Sequence, residues 1–361
     1  WYNLGQMLFN VVTCTSKESL ERNYEKEMTK VVKFGGSSLA SAQQFVKVGN
    51  IIRSDEARKY VVPSAPGKRN SKDTKVTDML YQCYALAEEE KDFSAALKKI
   101  QERYNSIING LNLTLSLDEQ FKVIAENFKK KAGSDYAASR GEFLNGIIMA
   151  EYLGYEFIDA AEVIVFDEDG EFEAEKTNKI LSERLKKCER AVVPGFYGAK
   201  EDGTVKTFSR GGSDITGSIV AKAVHADMYE NWTDVSGFLV ADPRIIENPE
   251  SIKVITYREL RELSYMGATV LHEDAVFPVR KEGIPINIRN TNAPDDEGTL
   301  IVESTCRQSA YTITGIAGKK GFVAVNIEKD MMNSEVGFGR KVLAAFEEQG
   351  ISFEHVPSGI D

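Results

Sequence analysis

Residues Val31-Val32-Lys33-Phe34-Gly35-Gly36-Ser37-Ser38 decide how the chain is read. A short β-rich run meets two glycines. A helical pattern follows, with Phe45, Val48, Ile51 and Ile52 at spacings of 3, 3 and 1. Strand, tight turn and helix therefore succeed one another. The next run, Lys59-Tyr60-Val61-Val62, is a second strand, closed by Pro63-Ser64-Ala65-Pro66-Gly67.

Working outward, the same alternation continues. Residues 68–76 are polar and basic and read as a mobile loop. A helical pattern covers 76–108, and another covers 139–153 until Gly154 stops it. Strands are expected at 156–159, 191–196, 228–233 and 285–288. Helices are expected at 213–224, capped by Ser213 or Asp214, and as a pair over about 257–282. Strands alternating with helices predict an α/β fold with an open, mainly parallel sheet sandwiched by helices. Internal repeats and low-complexity segments are absent.

The chain has 361 residues, enough for two or three domains, and 42% hydrophobic residues, enough for ordinary cores. Its net charge is −10, which argues against a nucleic-acid groove, since phosphate demands surplus cations. No apolar run approaches membrane-spanning length. Cys14, Cys83, Cys188 and Cys306 are scattered, and there are three His, so a zinc site built by the protein is not expected. Few, scattered cysteines fit a reducing cytoplasm.

Four segments carry chemistry. Gly35-Gly36-Ser37 between strand and helix lets backbone N–H groups approach an anion, although the same residues also make an ordinary turn. GxxxxGK[ST] occurs nowhere. Lys33, two residues earlier, could reach a transferring phosphoryl group or be a solvated edge lysine. Ser209-Arg210-Gly211-Gly212-Ser213-Asp214 suits a zwitterion, with Arg gripping a carboxylate and Asp accepting from an ammonium; a capped helix with a surface Arg fits the spacing equally well. Ser139-Arg140-Gly141-Glu142 opens a helix, where a Glu by default serves the cap or the dipole. Asn231-Trp232-Thr233-Asp234 places an acid at the end of a strand, where open α/β sheets bind ligands and where an Asx-turn is the plainer reading.

Together with Ala241-Asp242-Pro243-Arg244 and Gly267-Ala268-Thr269-Val270-Leu271-His272, these segments in this order resemble the aspartokinases of the amino-acid kinase family. The match runs from about Thr29 to the C-terminus. Arg210-Gly211-Gly212-Ser213-Asp214 with Trp232-Thr233-Asp234 is its most diagnostic part. The resemblance implies ATP-dependent phosphorylation of the side-chain carboxylate of L-aspartate, the first step towards lysine, threonine and methionine. It implies Mg²⁺ carried on the ATP phosphates and no metal site of the protein's own. Lys33 and Asp214 would be catalytic. Ser64, Thr77, Glu142, Phe196, Arg210, Ser213 and Asp214 would contact aspartate. Lys33, Gly35, Gly36, Ser37, Thr233, Asp234, Leu239, Arg244, Thr269 and Val270 would hold ATP. Leu239 stands where some relatives have Tyr, and Thr269 replaces a Lys that some relatives use on nucleotide. A homodimer or dimer of dimers in the cytoplasm, with lysine or threonine as effector, completes the implication. The alternatives are a relative acting on another acid or on UMP, and a catalytically inactive amino-acid sensor. Retention of Lys33 and Asp234 speaks against the sensor.

Trp1 opens the chain, and Met28 looks like a natural start, so 1–27 reads as upstream or non-native leader. Residues 28–302 are then the kinase domain and 303–310 a polar linker. Residues 311–361 read as a partial ferredoxin-like ACT region. Strand patterns at 311–316, 321–327 and 351–356 and a helix over 336–349 suggest a β–β–α–β fragment whose last unit is unfinished.

Overall fold

The computed structural model describes residues 28–209, 211–265, 271, 275–304, 312–318, 320–353 and 355–357. The expected leader 1–27 lies outside them. The chain divides into two compact units, one ending at Ala317 and the other beginning at Gly318.

The first unit opens with β1 (Lys30–Phe34), α1 (Ala42–Arg53), β2 (Arg58–Pro63), α2 (Val76–Glu88), α3 (Ser94–Gly110), α4 (Asp118–Lys129) and α5 (Ser134–Leu153). It continues through β3 (Glu156–Phe157), α6 (Ala160–Val163), β4 (Val165–Phe166), α7 (Ala174–Leu185), β5 (Ala191–Val192), β6 (Tyr197–Lys200) and β7 (Val205–Thr207). It closes with α8 (Gly212–Ala223), β8 (Met228–Thr233), β9 (Val254–Thr256), α9 (Tyr257–Tyr265), α10 (Phe277–Lys281), β10 (Ile286–Asn290) and β11 (Thr299–Val302).

Eight strands form one sheet in the order β3-β5-β2-β1-β8-β10-β11-β9. Every pairing is parallel except β10 with β11. Helices cover both faces, as a parallel sheet requires. The period of two along β1 sends Val31 into one apolar cluster with Val220 and Ile286, and Val32 into another with Phe45 and Leu80. The chain builds outward from β1 on both sides, through β2 in one direction and β8 in the other. That places a topological switch at the carboxyl ends of β1 and β8.

The expected open, mainly parallel α/β sheet is what forms. Several local expectations change. The helical pattern over 76–108 is two helices, α2 and α3. Helix α5 starts at Ser134, so Glu142 sits in its third turn rather than at a cap. Helix α8 is capped by Gly211 in the left-handed region (φ 59°), with no side-chain cap from Ser213 or Asp214. Helices α4 and α7, and a small sheet β4-β6-β7, are additions to the expected elements. Yet α4 carries a legible signal, with Phe121, Ile124 and Phe128 buried at helical spacing.

In the second unit the expected helix forms as α11 (Phe338–Glu348), but 321–327 and the described residues of 351–356 are not in strands. Alternation makes a segment competent for a sheet, while the strand itself needs a ladder, and the described residues of these segments are in none. The expected strand at 311–316 is also absent over 312–316. There, Ile316 N–H donates to Val240 O (2.7 Å) and Thr314 Oγ1 donates to Glu259 Oε1 (2.6 Å), so these residues belong to the first unit.

Candidate active site

The β1–β8 register sets Lys33 opposite Asn231 at the carboxyl end of the sheet. Asp214, in the first turn of α8, meets both. Lys33 Nζ lies 2.5 Å from Asp214 Oδ1, and Asn231 Nδ2 donates to the same oxygen at 2.8 Å. Tyr229 Oη donates to the Asp214 carbonyl at 3.1 Å. Lys33 is buried, so this ammonium is held in a medium where its charge is weakly screened. In the sequence Asn231 stands out only as part of a motif, and nothing in its spacing marks it as a clamp on Asp214.

The glycine turn is a close backbone junction. Gly35 N–H donates to Trp232 O (3.0 Å), and Gly67 N–H donates to Gly36 O (2.7 Å). A Cβ on Gly36 would stand 2.8 Å from the Ala65 carbonyl oxygen, so no larger residue fits without moving backbone. Ser38 and Thr291 hydroxyls meet at 2.8 Å and tie the turn to the loop after β10.

A cleft of about 580 Å³ opens beside this junction. Gly36, Ser37, Ser64, Thr77, Glu142 and Asp234 all line it, together with residues of the 65–75 segment. The structure thus brings together six residues expected at the site. Glu142 is buried, and its Oε2 has no hydrogen-bond partner. Burial pushes its carboxyl up to about 8, against the Ala65 backbone donor and the charge of Lys33, which pull it down. An arriving ammonium would meet an unsatisfied acid here. Asn145, which belongs to none of the sequence motifs, donates to Ser64 O at 2.6 Å and holds that edge of the cleft.

Phe196 adopts φ 80°, a strained value for a side chain of its size, with its N–H donating to Thr216 Oγ1 at 3.1 Å. A Cβ on Gly195 would stand 2.6 Å from the Ser213 side chain, so the Pro194–Phe196 turn and the start of α8 are packed directly together. The expected nucleotide residues are more dispersed. Thr233 Oγ1 donates to the exposed Asp234 (3.1 Å). Leu239 bridges Ser251, and Arg244 is 86% exposed and paired with Asp242 at 2.6 Å. The Arg244 side chain brings the Asp242 carboxyl down to about 2. Neither Leu239 nor Arg244 lines the cleft. Arg210, Thr269 and Val270 lie outside the described residues.

Residues 28–290 match the amino acid kinase family. The chain belongs to that family. Among its relatives is aspartokinase 3 of Bacillus subtilis, 42% identical over 92% of this chain and 76% of the relative. The chloroplastic aspartokinase 1 of Arabidopsis thaliana is 30% identical, covering 94% of this chain and 63% of that protein. The aspartate kinase of Clostridium acetobutylicum, an allosteric enzyme, superposes with a TM-score of 0.85 at 55% identity, over 92% of this chain and 76% of that one. This family member therefore sits among the aspartokinases. Among its described residues no three of His, Cys, Asp and Glu are grouped to hold a metal ion, and no helix is long and apolar enough to cross a membrane. Mg²⁺ bound mainly through nucleotide phosphates needs only one or two carboxylates, and the exposed Asp234 at the cleft fits that demand.

Proposed function

We propose roles for the cleft residues in the reaction this chain catalyses. That reaction is ATP-dependent phosphorylation of the side-chain carboxylate of L-aspartate, giving 4-phospho-L-aspartate and ADP. The observation that carries the roles is the contact between buried Lys33 and half-buried Asp214 at the switch between β1 and β8. The acceptor carboxylate is already ionised at pH 7, so no general base is required. The reaction needs charge neutralisation and in-line placement instead. Lys33 supplies a fixed positive charge against the transferring phosphoryl group. Asp214 and Asn231 keep that ammonium in place.

Glu142 and Asp214 receive the substrate ammonium, Arg210 grips its α-carboxylate, and Ser64, Thr77, Ser213 and Phe196 shape the pocket around it. Gly35, Gly36 and Ser37 approach the phosphates through backbone N–H groups. Thr233, Asp234, Leu239, Thr269 and Val270 hold the rest of the nucleotide, and Arg244 would exchange Asp242 for it. Mg²⁺ bound to the phosphates, with Asp234 as its protein carboxylate, would add positive charge there.

We assign catalysis to 28–302 and regulation, with lysine or threonine as effector, to an ACT-type region over 311–361. We place the protein in the cytoplasm as a homodimer or dimer of dimers. The test is ADP release with L-aspartate, D-aspartate, L-glutamate or UMP as acceptor, with hydroxylamine trapping of the acyl phosphate. Release and trapping should require L-aspartate. Equal turnover with UMP or L-glutamate would overturn the assignment. Repeating the assay with lysine and with threonine tests the effector.

A further inference from the structure

Residues 66–75, Pro-Gly-Lys-Arg-Asn-Ser-Lys-Asp-Thr-Lys, form an irregular segment at the cleft. Its ends are pinned where Val76 N–H donates to Pro66 O (3.1 Å) and Gly67 N–H donates to Gly36 O (2.7 Å). Lys68 and Lys75 line the cleft, both exposed, and neither makes an ion pair among the described residues. The segment's one acid, Asp73, is engaged elsewhere. It accepts from Arg69 Nε at 2.8 Å and from Arg103 Nη1 at 2.7 Å.

Arg103 reaches the segment from α3, outside the cleft lining. It is 6% exposed. Besides Asp73, its Nη2 donates to Ala40 O (2.8 Å) and Gly67 O (2.9 Å). Ala40 ends the short helix that follows the glycine turn. One guanidinium therefore bonds the far end of the glycine turn, the base of the segment and the segment's acid. Asp73 is in turn held ionised. Burial pushes its carboxyl up, but hydrogen bonds from the Arg69 backbone and side chain outweigh that and bring it below the usual range. A lysine could keep the charge at position 103 but not the three-way planar fork.

We infer that Arg103 is a positioning residue for ATP: it fixes segment 66–75 against the glycine turn so that Lys68 and Lys75 face the nucleotide phosphates. The inference rests on the reading of the cleft as an ATP site.

The test combines calorimetric binding of Mg²⁺–ATP with steady-state kinetics on the full chain. Arg103→Met should weaken ATP binding about tenfold and raise KM for ATP in step, the scale for two lysine–phosphate attractions removed from a partly screened site. Meanwhile kcat and KM for aspartate should shift less than about threefold. Arg103→Lys should recover part of the loss. Lys68→Ala with Lys75→Ala should weaken ATP binding and flatten its salt dependence. Adding those two changes to Arg103→Met should cost nothing further, because the lysines are already misplaced. Where Arg103→Met fails to fold, Asp73→Asn releases the segment while leaving both carbonyl hydrogen bonds, and should raise KM for ATP in the same way. Unchanged ATP affinity, full additivity, or a fall in kcat with KM intact overturns the inference. A wild type that binds ATP but makes no ADP with L-aspartate would sink the aspartate assignment alone, and the comparison of ATP affinities would still decide the role of Arg103.

Discussion

Lys33 Nζ and Asp214 Oδ1 stand 2.5 Å apart across the junction of β1 and α8, at the carboxyl end of the sheet. The pair is the meeting point of two segments far apart in the chain. Lys33→Ala should leave a folded protein and lower kcat about a hundredfold or more, the scale for removing one preorganised charge from a transition state. Turnover close to wild type in a stopped ADP assay would remove Lys33 from the mechanism.

Glu142 gives the chain a pH signature. Its carboxyl is raised in the folded state to about 8, from an ordinary 4.5. Between those values the folded protein holds a proton that the unfolded chain releases, so this group's stabilising share is complete below pH 4.5 and is lost as pH rises through 8. Glu142→Gln should therefore flatten the fall in melting temperature between about pH 5 and 8, and raise melting temperature at about pH 8 by a few degrees. The same variant should raise KM for aspartate more than KM for ATP, because its amide can accept a hydrogen bond from an ammonium but cannot release a proton to form an ion pair with it. Identical melting profiles for wild type and variant would contradict the burial argument.

Gly67→Ala tests the backbone junction. Its Cβ would stand 2.6 Å from the Gly36 carbonyl carbon and 2.7 Å from Ser37 N, so the glycine turn and segment 66–75 must separate. The expected cost is about 1–3 kcal/mol of stability, with a marked loss of ATP affinity. Denaturant midpoint and calorimetry read the two effects. A variant with normal ATP affinity would show that the junction does not shape the phosphate site.

The pair Arg58–Glu230 is buried and joins β2 to β8 across β1. Arg58 Nε donates to Glu230 Oε2 at 2.8 Å, and Trp232 Nε1 donates to the same oxygen at 2.9 Å. Glu230→Gln would strand a buried guanidinium, at an expected cost of roughly 3–5 kcal/mol, the range for breaking a buried ion pair. A midpoint within error of wild type in urea would show that Asp55, whose Oδ2 already lies 4.0 Å from Arg58 Nε, or water compensates.

Much of the kinase fold was legible in the chain as written. β-Branched runs ending in glycine or proline, and apolar residues at helical spacing, are signals carried by neighbouring residues, so β1, β2, β8, α1 and α11 could be placed directly. The order of the short motifs carried the family. The helix start at Ser134 was not legible, because the polar first turn of α5 has no distinctive cap. Nor was the absence of strand over 321–327 and the described residues of 351–356, because alternation records competence for a ladder and not whether one forms.

What the chain determines by itself is therefore the inventory: a lysine beside a glycine turn, an Asp at a helix start, a Glu in a Ser-Arg-Gly-Glu run. Only the tertiary structure decides their relations. The register of β1 on β8 brings Asn231 to Asp214, the burial of α5 raises Glu142, and the approach of α3 sends Arg103 into the loop behind the cleft. Pairing, desolvation and reach depend on distance through space, which sequence spacing does not encode.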